Sequence, residues 1–372
     1  MSRLKLVTIV GTRPELIKLS EVIKLANQHF DHILIHTGQN YDYSLNKVFF
    51  EGLDLPEPDY YLDAPGEHLG ETIGNIISKS YKLLDQIAPD AVLILGDTNS
   101  ALSAISAKRL KIPIFHMEAG NRCFDENLPE EVNRRIVDQI SDVNLAYTEH
   151  ARRYLLAENI KPEYVFVTGS PMPEVINASA GKPTDILKKL QLEKNKYFLL
   201  SAHREENIDN EDNFISLMEG INLLAEQNSL PIIYSLHPRS EKFIKERGFS
   251  FHSLVRKMTP FGFSDYIALQ QAAYCVISDS GTLAEESSIL RFPAVSIRTS
   301  TERPEAVDKG GFVIGGISSK TISGAVDLAV SLMSSGNADV PDYQDTNVSA
   351  KVVKIIQGYT EIINERIWRK RA

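Results

Sequence analysis

The chain opens with a strand, a glycine turn and a helix in immediate succession. Residues 4–28 read LKLVTIVGTRPELIKLSEVIKLANQ. The first seven residues form an apolar, β-branched run that is typical of a buried strand. Gly11 permits a tight turn, Pro14 suits the first turn of a helix, and apolar residues then recur at helical spacing. The segment therefore predicts the first part of a βαβ unit.

The same alternation runs through the rest of the sequence in two series. The strands predicted in the first series are 4–10, 33–36, 91–95, 112–116, 144–147 and 165–168, and the helices are 15–28, 71–87, 100–110 and 130–140. The second series has strands at 197–201, 231–236, 255–258, 275–277, 294–297 and 312–314, and helices at 211–227, 264–273, 282–290 and 321–333. Continuous apolar strands indicate parallel sheets covered on both faces. We therefore predict an α/β protein with two Rossmann-like, doubly wound domains and an interdomain cleft.

A segment rich in proline and small residues separates the two series. It spans residues 170–184, and we place a hinge there. From residue 348 onward the chain is predicted to form one long helix. The predicted divisions are an N-terminal Rossmann-like domain (1–170), a C-terminal Rossmann-like domain (171–347) and a final helix (348–372). Two domains also agree with a length of 372 residues.

Composition and charge exclude several classes of protein. The chain is 43% hydrophobic and 24% charged, which is typical of a globular protein and excludes disordered and fibrous ones. The net charge is -9, and basic residues cluster only at 366–371, so we expect no nucleic-acid partner. No run approaches 18 consecutive apolar residues, and residues 1–7 enter a strand without a signal-peptide pattern. We expect no membrane association.

Cysteine and histidine spacing gives no sign of a metal site or a disulfide framework. The two cysteines, Cys123 and Cys275, are far apart in sequence, and the nine histidines show no metal-ligand spacing. This usage is typical of the reducing cytoplasm. The glycine fingerprint of dinucleotide-binding folds is absent after the first strand, so we interpret the YxxxK spacing of Tyr43 and Lys47 as coincidence and expect no NAD.

Charged and small residues follow the predicted strands, where ligands bind in open parallel sheets. Asp97 and Glu118 end two strands of one sheet, so their carboxylates can converge on a substrate. Glu130 and its neighbour Glu131 follow Pro129 at the start of a helix. For this pair, catalysis and a structural role, in the helix dipole and in pairing with the arginines at 134 and 135, are equally compatible with the sequence.

Other strand ends supply candidate phosphate ligands. Arg13 and Lys18 could face an anion, although solvated cations at an ordinary turn are the alternative. His203 leaves the first strand of the second series beside an arginine, where it can donate to a phosphate or titrate near neutrality. Backbone N–H groups of Ser280, Gly281 and Thr282 would open a helix, either as a phosphate seat or as a simple N-cap. Glu286, one turn on, could accept hydrogen bonds from ribose hydroxyls.

Seven segments together resemble the non-hydrolysing UDP-N-acetylglucosamine 2-epimerase family, in that family's order across about 300 residues. They are Gly11-Thr-Arg-Pro-Glu, Gly96-Asp-Thr, His116-Met-Glu-Ala-Gly, Pro129-Glu-Glu-x-Asn-Arg, His203-Arg-Glu-Glu-Asn, Asp279-Ser-Gly and Thr301-Glu-Arg-Pro-Glu-Ala. The resemblance implies a fold of the glycosyltransferase-B type, UDP binding by the C-terminal domain, and a last helix that crosses back to the first domain.

The resemblance also implies an isomerase that inverts C2 of a UDP-N-acetylhexosamine. UDP would leave from C1 as the C2 proton is removed, giving a 2-acetamidoglycal, and would then add again. This chemistry needs acids, bases and fixed cations but no cofactor and no metal. The implied acid/base set is Asp97, Glu118 and Glu130. His203 and Lys18 would be electrophilic. The implied substrate-binding residues are Arg13 and Arg303 at the diphosphate, Ser280, Gly281 and Glu286 at phosphate and ribose, and the loop from Phe261 to Tyr266 at uracil.

Departures from the family pattern bear on the substrate. Phe261 stands where a glutamine is common, and Thr282 replaces a glycine. Residues 39–41 read QNY where members activated by UDP-N-acetylglucosamine have QHR, a difference that counts against this activation and leaves the question open. Residues 120–125 resemble a branch of capsule and O-antigen biosynthesis that converts UDP-2-acetamido-2,6-dideoxy-L-talose to UDP-N-acetyl-L-fucosamine. We expect this substrate ahead of UDP-GlcNAc or UDP-ManNAc.

Three alternatives use the same fold or ligand. A UDP-sugar-dependent glycosyltransferase of the same fold would need an acceptor pocket, and would leave Asp97 and Glu118 without a shared task. A hydrolysing 2-epimerase would release free sugar and UDP, and a UDP-sugar sensor would bind without turnover. The family resemblance further implies a homodimer, and the cysteine usage leads us to expect a cytoplasmic protein.

Overall fold

The computed structural model describes residues 3–38, 50, 52–179, 184–333 and 339–370. The chain divides into two compact units. The first unit contains Met1–Asn177 and Asp342–Ala372, and the second contains Ala178–Pro341. Each unit is built on one parallel sheet, which confirms the predicted α/β class.

A seven-stranded parallel sheet forms the centre of the first unit. Its strands are β1 (Lys5–Val10), β2 (Asp31–His36), β3 (Tyr60–Tyr61), β4 (Ala91–Leu95), β5 (Ile114–Ala119), β6 (Val143–Ala146) and β7 (Val165–Val167). Their order across the sheet is β3-β2-β1-β4-β5-β6-β7. The central strands β4 and β5 are wholly buried, as expected where both faces of a parallel sheet are covered.

Helices connect these strands in the described part of the first unit. They are α1 (Arg13–His29), α2 (Leu69–Ile87), α3 (Ala104–Arg109), α4 (Pro129–Ile140), α5 (Glu149–Ala157) and α6 (Met172–Ser179). Local sequence explains where they begin. Pro14 and Pro129 lie in first turns, where the missing N–H group is not needed, and His68 caps α2 by accepting the N–H of Glu71.

The second unit repeats this arrangement around a six-stranded parallel sheet. Its strands are β8 (Phe198–Ser201), β9 (Ile232–Ser235), β10 (Val255–Met258), β11 (Cys275–Ser278), β12 (Ala294–Ser296) and β13 (Val313–Ile314), in the order β10-β9-β8-β11-β12-β13. Both sheets therefore follow the order 3-2-1-4-5-6 of doubly wound folds, with switch points at β1/β4 and β8/β11. The helices are α7 (Ile186–Lys189), α8 (Glu205–Ile208), α9 (Glu211–Asn228), α10 (Pro238–Arg247), α11 (Phe263–Ala272), α12 (Leu283–Leu290), α13 (Pro304–Asp308) and α14 (Ser319–Leu332).

The end of the chain returns to the first unit as helix α15 (Val348–Arg366), which packs on α1. Polar contacts fix the return. Ser170 N donates to Asp342 O over 3.1 Å, and Lys351 Nζ donates to Thr168 O over 3.0 Å. The first unit is therefore formed by two segments that are far apart in the sequence.

The structure contains helices that the sequence did not predict, among them Glu149–Ala157, Ile186–Lys189 and Glu205–Ile208, and two others that have proline in the first turn. Residues 172–179, within the predicted hinge, are helical, and residues 238–247 form a helix that the sequence did not predict. Pro173 and Pro238 occupy first turns, so they begin helices instead of interrupting the chain. The predicted helix 100–110 divides into the 3-10 helix Asn99–Ser103 and α3. Residues 180–183 of the predicted hinge lie outside the described residues.

Within the described ranges, no helix combines the length and the apolar character that crossing a membrane requires.

Glycine 169 provides a test of how the returning segment packs. Its φ is +86°, and a Cβ there would lie 2.7 Å from Asp345 Oδ2. We expect Gly169→Ala to lower the free energy of unfolding by about 2–4 kcal/mol, because alanine resists this conformation and the site is full. Gly358→Ala is the matched control. It lies in α15 with nothing near its Cβ position, and should stabilise by about 0.5–1 kcal/mol. Urea denaturation measures both, and equal effects would contradict the packing.

Candidate active site

The predicted residues of the first unit lie on elements around the switch point between β1 and β4. Arg13 and Lys18 belong to α1, Asp97 follows β4, Glu118 lies in β5, and Glu130 is in the first turn of α4. Arg13 and Glu130 are half-buried. Because β4 and β5 are neighbours in the sheet, Asp97 and Glu118 lie at the carboxyl ends of adjacent strands.

Lys18 and Glu118 form a buried ion pair. Lys18 Nζ lies 2.5 Å from Glu118 Oε2, and both side chains are 8% exposed. The amide of Asn121 donates to the other carboxylate oxygen, Oε1, over 3.4 Å. A carboxylate with this little exposure needs a partner, and the lysine provides it. The structure thus brings together two of the predicted residues.

The backbone of Glu118 is left-handed, with φ +63°. The pairing of β5 with β6 shifts register between Met117 and Ala119, so Glu118 is the extra residue of a β-bulge. Bulges redirect side chains, and a non-glycine residue in this region is typical of functional sites. The redirected carboxylate faces the end of β4. A Cβ built on Gly96 would lie 3.9 Å from Glu118 Oε2.

Arg134 of α4 holds the side chain of Asp97. Its Nε and Nη2 atoms lie 2.8 and 2.6 Å from Asp97 Oδ2. Its remaining nitrogen, Nη1, lies 3.0 Å from Glu131 Oε2. One guanidinium therefore bridges two carboxylates. Asn133 adds a hydrogen bond to the backbone oxygen of Asp97, over 2.9 Å.

Glu130 and Glu131 have different environments. Glu131 is fully buried, and its carboxylate accepts the backbone N–H groups of Cys123 and Phe124, over 3.1 and 3.3 Å. Burial alone would raise the pKa of Glu131, but the Cys123 N–H and Arg134 hold it below its usual value. The structural alternative considered for this pair, ion pairing with the arginines at 134 and 135, thus describes Glu131.

A further buried carboxylate, which the sequence did not single out by itself, ties the turns after β1 and β4 together. Glu15 accepts the N–H of Gly11 over 3.1 Å, the hydroxyl of Thr12 over 2.7 Å and the hydroxyl of Ser100 over 2.5 Å. Burial raises the pKa of Glu15 above its usual value. These contacts fix the turn that carries Arg13.

In the second unit, Asp279 holds the segment that carries His203. Its Oδ2 accepts the backbone N–H groups of His203 and Arg204 over 2.8 and 2.9 Å, and the side-chain amide of Asn207 over 3.2 Å. Asp279 Oδ1 lies 3.1 Å from Nδ1 of the His203 ring, which is 38% exposed. Burial alone would raise the pKa of Asp279, but the charge and hydrogen bonds of His203, with the Arg204 N–H, lower it to about 2.

The predicted phosphate seat is a turn before α12. Ser280 N donates to Ser278 Oγ over 3.0 Å, and the hydroxyls of Ser280 and Thr282 are 3.0 Å apart. The Ser280 N–H therefore already has an acceptor, which differs from the expected open N–H. A Cβ at position 281 would lie 2.6 Å from Glu302 Oε1, so a larger residue there would displace that carboxylate.

Glu286 and Tyr266 lie close together, with a residue that sequence reasoning missed. Gln270 is fully buried and donates to Glu286 Oε2 over 2.6 Å. Burial and the nearby charge of Glu286 raise the pKa of Tyr266. Phe261 is half-buried in the loop before α11. No sequence motif includes Gln270, and a polar residue within a helix is not by itself a sign of function.

Arg303 is buried, with Nη2 3.4 Å from Glu285 Oε2. Beside it in sequence, Glu302 pairs with Arg298, whose Nη1 lies 2.7 Å from Glu302 Oε2. Buried pairs of this kind hold a loop in one arrangement.

Two predictions fall partly or wholly outside the described residues. Tyr43 and Lys47 lie there, as does the 39–41 segment that bears on activation by UDP-N-acetylglucosamine. Among the residues that are described, no group of three or more His, Cys, Asp or Glu side chains converges as a metal site would require.

Comparison with known proteins decides the family. The model of the UDP-N-acetylglucosamine 2-epimerase family matches residues 23–357. The chain belongs to this family. A structure of UDP-N-acetylglucosamine 2-epimerase from Rickettsia bellii is 44% identical, covers 99% of this chain and 100% of its own, and superposes with a TM-score of 0.91.

Two further relatives differ in the sugars they are named for. The Methanocaldococcus jannaschii UDP-GlcNAc 2-epimerase, solved in complex with UDP-GlcNAc and UDP, is 34% identical, covers 95% of this chain and 100% of its own, and has a TM-score of 0.88. The UDP-2,3-diacetamido-2,3-dideoxy-D-glucuronate 2-epimerase of Pseudomonas aeruginosa is 34% identical over 84% of this chain and 88% of its own. These findings confirm the predicted family, the isomerase class and the glycosyltransferase-B type of fold.

The carboxylate of Asp279 should stabilise the epimerase in a pH-dependent way. Its pKa in the folded state, about 2, is below the value of about 3.9 for an unfolded aspartate. The contribution is therefore complete above pH 4 and is lost as the pH falls towards 2. It amounts to about 2–3 kcal/mol. We expect the difference in unfolding free energy between wild type and Asp279→Asn to shrink by this amount from pH 6 to pH 2, measured by urea denaturation. Exchanging the exposed Asp327 for asparagine is the control, and a constant difference for Asp279→Asn would contradict the assignment.

Proposed function

We propose that this epimerase inverts C2 of a UDP-N-acetylhexosamine by eliminating UDP and adding it again. The observation that carries the proposal is the arrangement of Glu118 and Asp97. They lie at the carboxyl ends of adjacent strands, and they pair with different cations, Glu118 with Lys18 and Asp97 with Arg134. Two positioned carboxylates are what a reaction with one proton removal and one proton delivery requires.

The chemistry explains why cations accompany the carboxylates. The C2 proton of the sugar is not acidic, because no carbonyl is adjacent to it. A base removes it as the C1–O bond breaks and UDP departs with the electron pair, leaving a 2-acetamidoglycal. Protonation of C2 on the other face, with re-addition of UDP at C1, completes the inversion. Fixed cations stabilise the charge on the departing diphosphate.

The roles proposed for the other residues are those that the family resemblance implies. Glu130, half-buried at the start of α4, is the third member of the acid/base set. Lys18 and His203 are the electrophilic pair, Arg13 binds the diphosphate, and Arg303 acts there or behind it. The turn Ser280, Gly281 and Thr282 receives phosphate. Glu286 receives ribose, and the loop from Phe261 to Tyr266 receives uracil.

For the sugar, we propose UDP-2-acetamido-2,6-dideoxy-L-talose, giving UDP-N-acetyl-L-fucosamine for capsule or O-antigen biosynthesis. The support is the segment 120–125, which resembles that branch and is attached to the site. Glu131 binds the backbone of Cys123 and Phe124, and Arg134 joins Glu131 to Asp97. A substitution in this segment would therefore alter the contacts of Asp97 through Glu131 and Arg134. UDP-GlcNAc and UDP-ManNAc are the second candidate pair.

Removing either carboxylate should abolish turnover without abolishing UDP binding. We expect Asp97→Asn and Glu118→Gln each to lower kcat by about 10³-fold, because acid–base groups contribute roughly 10²–10⁴. The Kd for UDP, measured by calorimetry, should change less than about fivefold. The control is Asp90→Asn at the other end of β4, where the carboxylate accepts the N–H of Lys5 over 2.8 Å. Loss of UDP binding in both site variants would contradict the acid/base assignment.

Proton NMR in heavy water tests the reaction and the sugar together. The enzyme is incubated with UDP-N-acetylglucosamine, and separately with UDP-2-acetamido-2,6-dideoxy-L-talose, without an acceptor. We expect deuterium at C2 and growth of a second epimer, faster with the 6-deoxy sugar. Free sugar and UDP as products would indicate a hydrolysing enzyme. Binding without exchange in either sugar would favour the glycosyltransferase or the sensor.

A further inference from the structure

The turn that aims Glu118 is held in an unfavourable backbone conformation. Glu118 has φ +63° and Gly120 has φ +84°, so two of three consecutive residues are left-handed. Position 120 has no room for a side chain, because a Cβ would lie 2.4 Å from Ala151 O. A non-glycine residue persists in this region only where its surroundings fix it.

One buried carboxylate on α4 contacts the chain on both sides of Glu118. Asp138 Oδ2 accepts the N–H of Gly120 over 3.1 Å and Nη1 of Arg122 over 2.7 Å. Its other oxygen, Oδ1, lies 2.8 Å from Nδ1 of His116. Asp138, His116 and Arg122 are each 1% exposed, so no solvent competes for these contacts.

The same group reaches the neighbouring strand. His116 Nε2 lies 2.9 Å from the backbone oxygen of Gly96, the residue before Asp97. Asp138 is thereby linked, through one imidazole, to the end of β4 as well as to the bulge in β5. Burial alone would raise the pKa of Asp138, but His116 and Arg122 hold it below its usual value, so the group is a carboxylate at neutral pH.

We propose that Asp138 is a positioning residue of the epimerase, which together with His116 and Arg122 fixes the left-handed turn that aims Glu118. The proposal rests on the proposed role of Glu118 in the reaction. Asp138 itself touches no substrate in this scheme. It acts by restraining the chain at residues 116, 120 and 122, on either side of the carboxylate that does.

The test compares Asp138→Asn with a matched control at the other end of β5. Asp142 is also a buried carboxylate that accepts one backbone N–H, of Ile114 over 3.0 Å, and one cation, Lys108 over 2.6 Å. We expect Asp138→Asn to lower kcat by about 10²-fold, because a misplacement near 1 Å costs about that much, with the Kd for UDP unchanged. Asp142→Asn should leave kcat within about twofold. The Asp138→Asn variant should fold, since Arg122 keeps its two contacts with Glu158, at 2.8 and 2.6 Å.

A double variant separates positioning from a general loss of structure. If Asp138 acts through Glu118, Asp138→Asn should have little further effect on the residual exchange rate in the Glu118→Gln background. An equal, additive loss in both backgrounds would overturn the proposal. So would a kcat for Asp138→Asn matching that of Asp142→Asn. Full activity of Glu118→Gln would instead contradict the proposed function of Glu118.

Amide hydrogen exchange measures how firmly the turn is held, independently of catalysis. The protection factor of the Gly120 N–H should fall at least tenfold in Asp138→Asn. It should not change in Asp142→Asn. Unchanged protection in Asp138→Asn would overturn the positioning role. Should Asp138→Asn not fold, His116→Gln, which breaks the link to Gly96, is expected to give the same loss of kcat, and full activity of that variant would count against the proposal.

Discussion

Backbone N–H groups that leave a parallel sheet at the carboxyl ends of its strands need acceptors, and in this enzyme buried carboxylates supply them. A strand that ends gives up its ladder partners, and a buried N–H without a partner is destabilising. After three strands, β1, β5 and β8, four buried carboxylates accept these groups instead. The acceptors are Glu15 for Gly11, Asp138 for Gly120, Glu131 for Cys123 and Phe124, and Asp279 for His203 and Arg204.

Burying an acceptor that carries charge requires a cation nearby, and this requirement organises the site. Asp138 contacts Arg122, and Asp279 lies against the His203 ring. Arg134 pairs with two carboxylates, Glu131, which holds a loop, and Asp97, a member of the proposed acid/base set. Glu15 shows the contrasting case. The groups that donate hydrogen bonds to it are neutral, and burial raises its pKa above the usual value. The carboxylates that hold the backbone and those of the proposed site therefore belong to the same ion-pair networks.

The alternation of apolar strands and amphipathic helices was enough to predict every described strand of both sheets except the two-residue edge strand β3, because burial on two faces leaves a direct pattern in the sequence. It also placed Asp97 and Glu118 at the ends of two strands of one sheet, and Lys18 in the helix after the first strand. Helix α4 shows where such reasoning stops. Its buried face carries Glu131 and Asp138, while Val132 and Ile136 are 45% and 38% exposed. Apolar periodicity would have turned this helix the other way, so its interior charges became visible only in three dimensions.

The need for directional contacts explains why charge, and not apolar packing, holds the turn at Glu118. Apolar contacts have no direction and do not select one backbone conformation over another. A left-handed glutamate costs about 1–3 kcal/mol, and hydrogen bonds to a charged group contribute about 1.5–3 kcal/mol each. The two that Asp138 accepts, from Gly120 and Arg122, are therefore sufficient to offset it. Glycine at position 118 would adopt the turn freely but would bring no carboxylate. The proposed acid–base role of Glu118 therefore depends on this backbone conformation, and the proposed role of Asp138 is to hold it.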